Sequence, residues 1–249
     1  MQLSIFPIKI TDTLPANTHS AVLKLVGISD AGVKYAIKTL DDGDWIPITE
    51  WFCYWMCRAV GIATPAFDIL QMSDGSKAFG SKWEPPSTFI CDVTRDDQSE
   101  LMNKLLKVYS GSFSSMLALD FFLPNPDRTF FNMMFKYENN AYIPLAFDWD
   151  KVHSVKNTFA LTALNKETAT YQCLKNIERF SQRLKKTLLS NTHKDSVFSS
   201  ISQISAQQIQ AIFDSAPPEW KANINVADIV NWWTQTNLQQ RIDTAKEMM

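Results

Sequence analysis

The sequence predicts an α+β protein of two lobes, β-rich up to about residue 84 and mainly helical from 85 to 249. Three observations lead there. Apolar and polar residues alternate through the first third of the chain, Glu84-Pro85-Pro86-Ser87 interrupts regular structure, and from Asp97 onward apolar positions recur at nearly every fourth residue. A chain of 249 residues has room for one large core or two modest ones, and its 45% apolar and 20% charged residues exclude wholesale disorder and fibrous classes.

The elements follow in order. Val22 to Gly27 and Val33 to Lys38 flank the turn-rich Ser29-Asp30-Ala31-Gly32 and predict a hairpin. Tyr35 and Ile37 then share one face of the second strand, with Lys34, Ala36 and Lys38 on the other. Pro47-Ile48-Thr49-Glu50 has the form of a helix start, and Ile48, Trp51, Phe52, Trp55, Met56, Ala59 and Val60 predict an amphipathic helix that Gly61 stops. Glu50 falls outside that apolar stripe, near the helix N-terminus, where the dipole favours a carboxylate. Phe67 to Met72 and Lys77 to Trp83 form a second hairpin around Asp74-Gly75. Helices are predicted at 97–109 and 113–123, a β island at 133–137 and 142–147, and helices only from about Asn165 onward.

Charge and cysteine content narrow the function. With 24 Lys plus Arg against 26 Asp plus Glu, the net charge of −2 supplies no global field toward nucleic acid or an anionic membrane. No stretch is apolar enough to cross a bilayer, and the first residues lack a signal-peptide pattern, so a cytoplasmic protein is expected, with secretion lacking a cleaved signal kept open. Cys53, Cys57, Cys91 and Cys173 form no dense disulfide framework and are expected reduced.

The most informative stretch is Asn125-Pro126-Asp127-Arg128-Thr129-Phe130-Phe131-Asn132, followed by a short hairpin that ends in Phe147-Asp148-Trp149-Asp150. An acidic residue, an asparagine five positions later and another acidic residue at the hairpin exit match the needs of phosphoryl transfer. One group orients the attacking hydroxyl, and two oxygen ligands hold magnesium against phosphates.

With Lys38 on a strand and Glu50 on the following helix, this order resembles the protein kinases, most closely the HipA-like kinases, whose catalytic loop reads Asn-x-Asp-Arg-x-x-x-Asn. The phosphoinositide kinases are more distant relatives. The resemblance covers nearly the whole chain, through Tyr35-Ala36-Ile37-Lys38, Gly61-Ile62-Ala63-Thr64-Pro65, Phe79-Gly80-Ser81, the loop, Asp148 and Pro217-Pro218-Glu219-Trp220. It implies a bilobal protein-kinase-like fold and ATP- and magnesium-dependent transfer of the γ-phosphoryl group to a serine or threonine of a protein. By position, Asp127 is then the catalytic carboxylate, Asn132 and Asp148 the magnesium ligands, Lys38 the contact to the nucleotide phosphates, and Glu50 its ion-pair partner. Lys82, Trp83 and Glu84 belong to the hinge against which adenine lies. The turn from Gly27 to Gly32 covers the phosphates, and Ser29 is the candidate for self-inactivating autophosphorylation. The family also implies a growth-inhibiting toxin with a cognate antitoxin as partner, and a protein substrate that the sequence does not identify.

Two departures keep other functions open. Thr129 stands where many relatives have histidine, and the phosphate turn is poor in glycine and carries Asp30. A pseudokinase-type binding module would keep the fold without turnover, and a lipid or small-molecule kinase would use the same residues on another acceptor. Simpler explanations cover the remaining motifs. Gly27 to Lys34 and Gly75 to Lys82 lack the Gly-Lys-Ser/Thr ending of a phosphate loop. Cys53 and Cys57 lack two further zinc ligands, His153 is an exposed or capping residue, and Lys175, Arg179, Arg183 and Lys186 form a solvated helix face, so direct nucleic-acid binding is not expected.

Overall fold

The computed structural model describes residues 6–16, 24–83, 87–89, 95–156 and 164–249, with backbone alone for 87–89 and 95–107. Its N-terminal part is built on five strands: β1 (Ile8–Pro15), β2 (Leu25–Ser29), β3 (Lys34–Lys38), β4 (Phe67–Gln71) and β5 (Lys77–Lys82). They close into a barrel in the order β1-β2-β3-β5-β4, with β1 and β4 parallel and the other neighbours antiparallel. Both predicted hairpins are present. Strand β1 is an addition, because its outward positions are exposed and its sequence carries only weak alternation.

Alternation in β3 works as the sequence predicts: Tyr35 and Ile37 point inward and join Ile10, Leu70 and Ala78 in a small barrel core. The barrel is narrow. A Cβ at Gly27 would run into Ile37, and one at Gly80 would run into the side chain of Leu70, so both glycines are required by the close approach of neighbouring strands.

Helix α1 (Ile46–Ala59) starts with Pro47 in its first turn and ends before Gly61, whose φ of 76° suits glycine. Instead of one apolar face, the helix is buried on almost every side from Ile46 to Cys57, including Glu50. It is thus a central helix buried on nearly all sides, where the sequence predicts an amphipathic one.

Helix α2 (Arg95–Phe122) covers both predicted helices and breaks at Tyr109, where φ is −111° and ψ 25°. The β island consists of β7 (Met133–Glu138) and β8 (Ala141–Ala146), joined by Asn139 and Asn140 at φ 51° and 62°. Two consecutive left-handed residues make the tight turn that matches strand twist. A three-residue strand, β6 (Ser87–Phe89), adds a third member in the order β6-β7-β8.

Beyond Asn165 come α3 (Ala169–Leu184), α4 (Asn191–Ser202), α5 (Ala206–Asp214), α6 (Val226–Trp232) and α7 (Gln235–Met248). Each begins at a polar residue whose side chain accepts a backbone N–H: Thr168, Ser190, Ser205, Asn225 and Thr234. Such caps contribute about 1 kcal/mol apiece. Among the described residues, no helix is long and apolar enough to cross a membrane.

One core runs across the boundary predicted near residue 84. Trp51 of α1 donates its Nε1–H to the Ile212 carbonyl and Ser215 Oγ at 3.1 Å each, and Trp220 donates to the Lys77 carbonyl at 3.1 Å. The Trp51 and Trp220 rings meet edge to face at 6.1 Å.

Gly80→Ala should lower stability by about 1–3 kcal/mol through overpacking against Leu70. Urea unfolding of the variant checks this, and a midpoint equal to the parent's would show that the barrel can widen.

Candidate active site

The site grows from the end of α2. Asp120 lies in the last turn of that helix, and the chain then turns through Asn125 to Asn132 before entering β7. Arg128, with 0% of its side chain exposed, donates from Nε to Asp120 Oδ2 at 2.7 Å and from Nη2 to Oδ1 at 3.2 Å. Its remaining nitrogen, Nη1, donates to the carbonyls of Asn132 at 2.6 Å and Phe147 at 2.8 Å. Burial opposes the Arg128 charge, and Asp120 more than offsets it. One planar guanidinium thereby ties the helix end, the loop end and the exit of β8 together.

The loop around Asp127 is fixed through its backbone. Asn125 accepts the Asp127 N–H at 3.1 Å and donates to Asp120 at 2.7 Å, while Asn132 donates from Nδ2 to the Asp127 carbonyl at 2.8 Å. Thr170 in the first turn of α3 donates to the Asn125 carbonyl at 2.5 Å, accepts the Arg128 N–H at 2.8 Å, and gives its own N–H to Pro126 at 3.3 Å. Thr129 caps the short turn Phe130–Asn132 by accepting the Phe131 N–H at 3.1 Å, a local role for the residue that stands in place of the expected histidine. On the far side of the loop, Arg241 of α7 donates to the carbonyls of Phe121 and Phe122, and burial pushes its guanidinium down to about 10.

Asp148 follows β8 with φ at 65°, a left-handed conformation that few residues other than glycine adopt. Its Oδ1 lies 2.9 Å from Lys38 Nζ, and Asp150 Oδ2 lies 3.3 Å from the same nitrogen. Glu50 Oε1 stands 4.0 Å away and accepts the Trp149 N–H at 3.1 Å, leaving its buried Oε2 without a hydrogen-bond partner. The Arg128 guanidinium stacks 4.8 Å from the Trp149 ring centre.

Too many negative charges gather around one ammonium. Burial, with Asp148 and Asp150 nearby, pushes Glu50 up to about 8 despite the pull of Lys38 and the Trp149 N–H. Burial and then Asp148 raise both Asp150 and Asp127. Lys38 moves the other way: burial disfavours its charge, yet Asp148, Glu50 and Asp150 together hold it protonated beyond the ordinary lysine range.

The donor set fits magnesium. Asp148 offers carboxylate oxygens, and Asn132, whose amide nitrogen is spent on Asp127, offers its side-chain carbonyl; hard oxygen ligands amid surplus negative charge suit this ion. Among the described residues no group of three His, Cys, Asp or Glu is arranged as a metal cage. Two protein ligands completed by phosphate oxygens and water are the usual arrangement for magnesium.

The structure thus brings Lys38, Glu50 and Asp148 into one cluster, joined by Asp150, and bonds Asp127 to Asn132. Glu50, expected off the apolar stripe and beside Lys38, is buried there because its helix is enclosed on nearly every side. Ser29 does not join the cluster. The register sets Ile28 against Lys34 and Leu25 against Ile37, so the turn after Ser29 lies at the opposite end of β3 from Lys38, about 13 Å away at a strand's rise per residue. Ser29 is 3% exposed and its Oγ accepts the Val33 N–H. This corrects the assignment of the Gly27–Gly32 turn to the phosphates: a hairpin turn follows the register, and Ala16 and Lys24, which close β1 onto β2, are the residues at the Lys38 end. Lys82 pairs with Tyr35, and the Trp83 N–H meets the Lys34 carbonyl, so both sit at the end away from Lys38. Glu84 and Cys91 lie outside the described residues.

Sequence reasoning missed Asp150, although its spacing of two from Asp148 was visible, and it passed over Thr170 and Asp120, which no local motif marks. His153 packs against Trp45 at the start of α1 with ring centres 5.8 Å apart.

No protein-family model matches the sequence, and no curated protein matches it. Among solved structures, the chain is similar to a proinflammatory kinase of Helicobacter pylori, CtkA, with a TM-score of 0.54 and 15% identity over 97% of this chain and 98% of that one. The two share a fold. HipA of Shewanella oneidensis MR-1, in a toxin–antitoxin complex with HipB and operator DNA, is more distant, with a TM-score of 0.48 and 11% identity over 99% of this chain and 67% of that one.

Arg128→Met should cost about 3–5 kcal/mol, because it strands the buried Asp120 charge. Adding Asp120→Asn should recover part of that loss in a denaturation double-mutant cycle, and strict additivity would rule out the pairing. Glu50 gives a pH signature. Its proton leaves the unfolded chain near 4.5 and the native protein near 8, so the native state holds the extra proton between those values and Glu50 erodes stability as pH rises through them. Glu50→Gln should therefore gain stability relative to the parent between about pH 5 and pH 8 in urea titrations; a constant difference would contradict the assignment.

Proposed function

We propose that the chain is an ATP- and magnesium-dependent protein kinase that transfers the γ-phosphoryl group to a serine or threonine hydroxyl. One observation carries this reading: Lys38 and Asp148, 110 positions apart, meet at 2.9 Å beside a loop that presents Asp127 and Asn132. The fold shared with the Helicobacter pylori kinase supports the same conclusion.

Each residue has a task that its surroundings suit. Lys38 is held charged by its carboxylates and so carries a full positive charge to the nucleotide phosphates. Asp127 binds its proton more tightly than an exposed aspartate, because of burial and then Asp148, which improves it as an acceptor for the substrate hydroxyl proton. Its backbone anchors fix the direction of that carboxylate, and alignment is the larger part of catalysis in phosphoryl transfer. Magnesium, bound through Asp148 and Asn132, would neutralise charge on the transferred group. Lys82 and Trp83 lie at the other end of β3, and there they would flank the base of a nucleotide whose phosphates reach Lys38.

Incubation with labelled ATP, magnesium and cell extract tests the reading. Label should appear on serine or threonine of protein, and Asp127→Ala should reduce transfer by at least about 100-fold. Equal labelling by both proteins would remove Asp127 from the mechanism, and label confined to lipid or small molecules would move the acceptor to another class.

A further inference from the structure

We infer that Asp150 is the standing anchor of Lys38, the carboxylate that holds the amine in place while Asp148 serves a cation. The inference rests on the kinase reading of this site and concerns a residue to which neither the catalytic loop nor the metal ligand pair assigns a role.

Three carboxylates face Lys38, and the structure distinguishes what each is free to do. Asp148 is the nearest and also the outermost: 15% of its side chain is exposed, against 2% for both Asp150 and Glu50. It is the carboxylate assigned to the metal. A carboxylate that gives its charge to a divalent cation balances an ammonium less well, and the nucleotide phosphates reach Lys38 only from the open side. A buried counter-charge is then what keeps the amine in place on the protein side. Glu50 is poorly placed to supply it, since its Oε1 stands 4.0 Å from Nζ and is engaged by the Trp149 N–H. Asp150 Oδ2 is within hydrogen-bonding distance at 3.3 Å and lies beneath the amine, away from solvent.

The two buried acids therefore divide one duty. Glu50 grips the backbone of the segment from Asp148 to Asp150, and through it sets where both aspartates stand. Asp150 holds the charge of Lys38. The ion pair that family resemblance assigns to Glu50 falls mainly to Asp150, the other nearby cation being Lys151 next in sequence.

The experiment compares Asp150→Asn with Glu50→Gln in the full chain, both confirmed folded by circular dichroism. The first readout is the rate at which an amine-reactive ester acylates Lys38 in the nucleotide-free protein, followed by peptide mass spectrometry. The second is affinity for a non-hydrolysable ATP analogue with magnesium. Asp150→Asn should speed Lys38 acylation about fivefold or more and weaken the analogue about tenfold, with Asp150→Glu restoring part of both; Glu50→Gln should change acylation by less than about twofold. Acylation in Asp150→Asn within twofold of the parent, or an equal increase in Glu50→Gln, would overturn the anchor role. Failure of the parent protein to bind the analogue would instead sink the kinase reading, and the acylation rates would still decide which carboxylate holds Lys38.

Discussion

The buried ion pair of Arg128 with Asp120 is the constraint on which the site depends. The guanidinium gives its fork to one carboxylate and its remaining donors to two main-chain carbonyls. Those carbonyls belong to Asn132 and to Phe147, next to Asp148, so the two candidate cation ligands inherit their positions from one side chain. A lysine could not replace it, because a single ammonium lacks the planar fork. A buried pair of this kind contributes little net stability compared with apolar packing, and its value here is geometric.

Around that frame the charge distribution is deliberately unequal. Glu50, Asp148 and Asp150 collect around one lysine with Asp127 close to Asp148, and burial raises Glu50, Asp127 and Asp150 above their ordinary range. In a purely structural cluster such an excess would be a liability. Under the proposed function the same excess would lower the cost of bringing a dication out of water, and in the resting protein it holds Lys38 tightly. The left-handed backbone of Asp148 belongs to the same compromise, since local strain of about 1 kcal/mol turns its carboxylate toward Lys38.

Much of this was legible in the sequence where function depends on local order. Asp127, Asn132 and Asp148 could be read because one loop and one hairpin carry them, and Lys38 because strand alternation separates it from Tyr35 and Ile37. What escaped depends on register and on distant packing. Ser29 lay in a turn whose Gly-x-x-x-x-Gly pattern fits a phosphate cover, and only the pairing of Ile28 with Lys34 shows that this turn faces the wrong end. Glu50 was read as the partner of Lys38, but its burial was not, because the apolar stripe shows one face of a helix that is enclosed on nearly every side. Strand β6 has three residues and is defined only by its partner more than forty positions later. Asp150 escaped because only the folded chain turns it toward Lys38, 112 positions earlier.

Trp51 and Trp220 carry a consequence for how the polypeptide matures. The helix that bears Glu50 is sealed on one side by residues 212–220, within the last sixth of the chain, and the strand carrying Lys77 is hydrogen-bonded by Trp220 itself. During synthesis, the barrel and its central helix would emerge with a broad oily flank uncovered until nearly the whole chain had left the ribosome. The surroundings of Glu50 are therefore completed late, and a nascent fragment ending before Ile212 lacks the groups that close over Trp51 of the same helix.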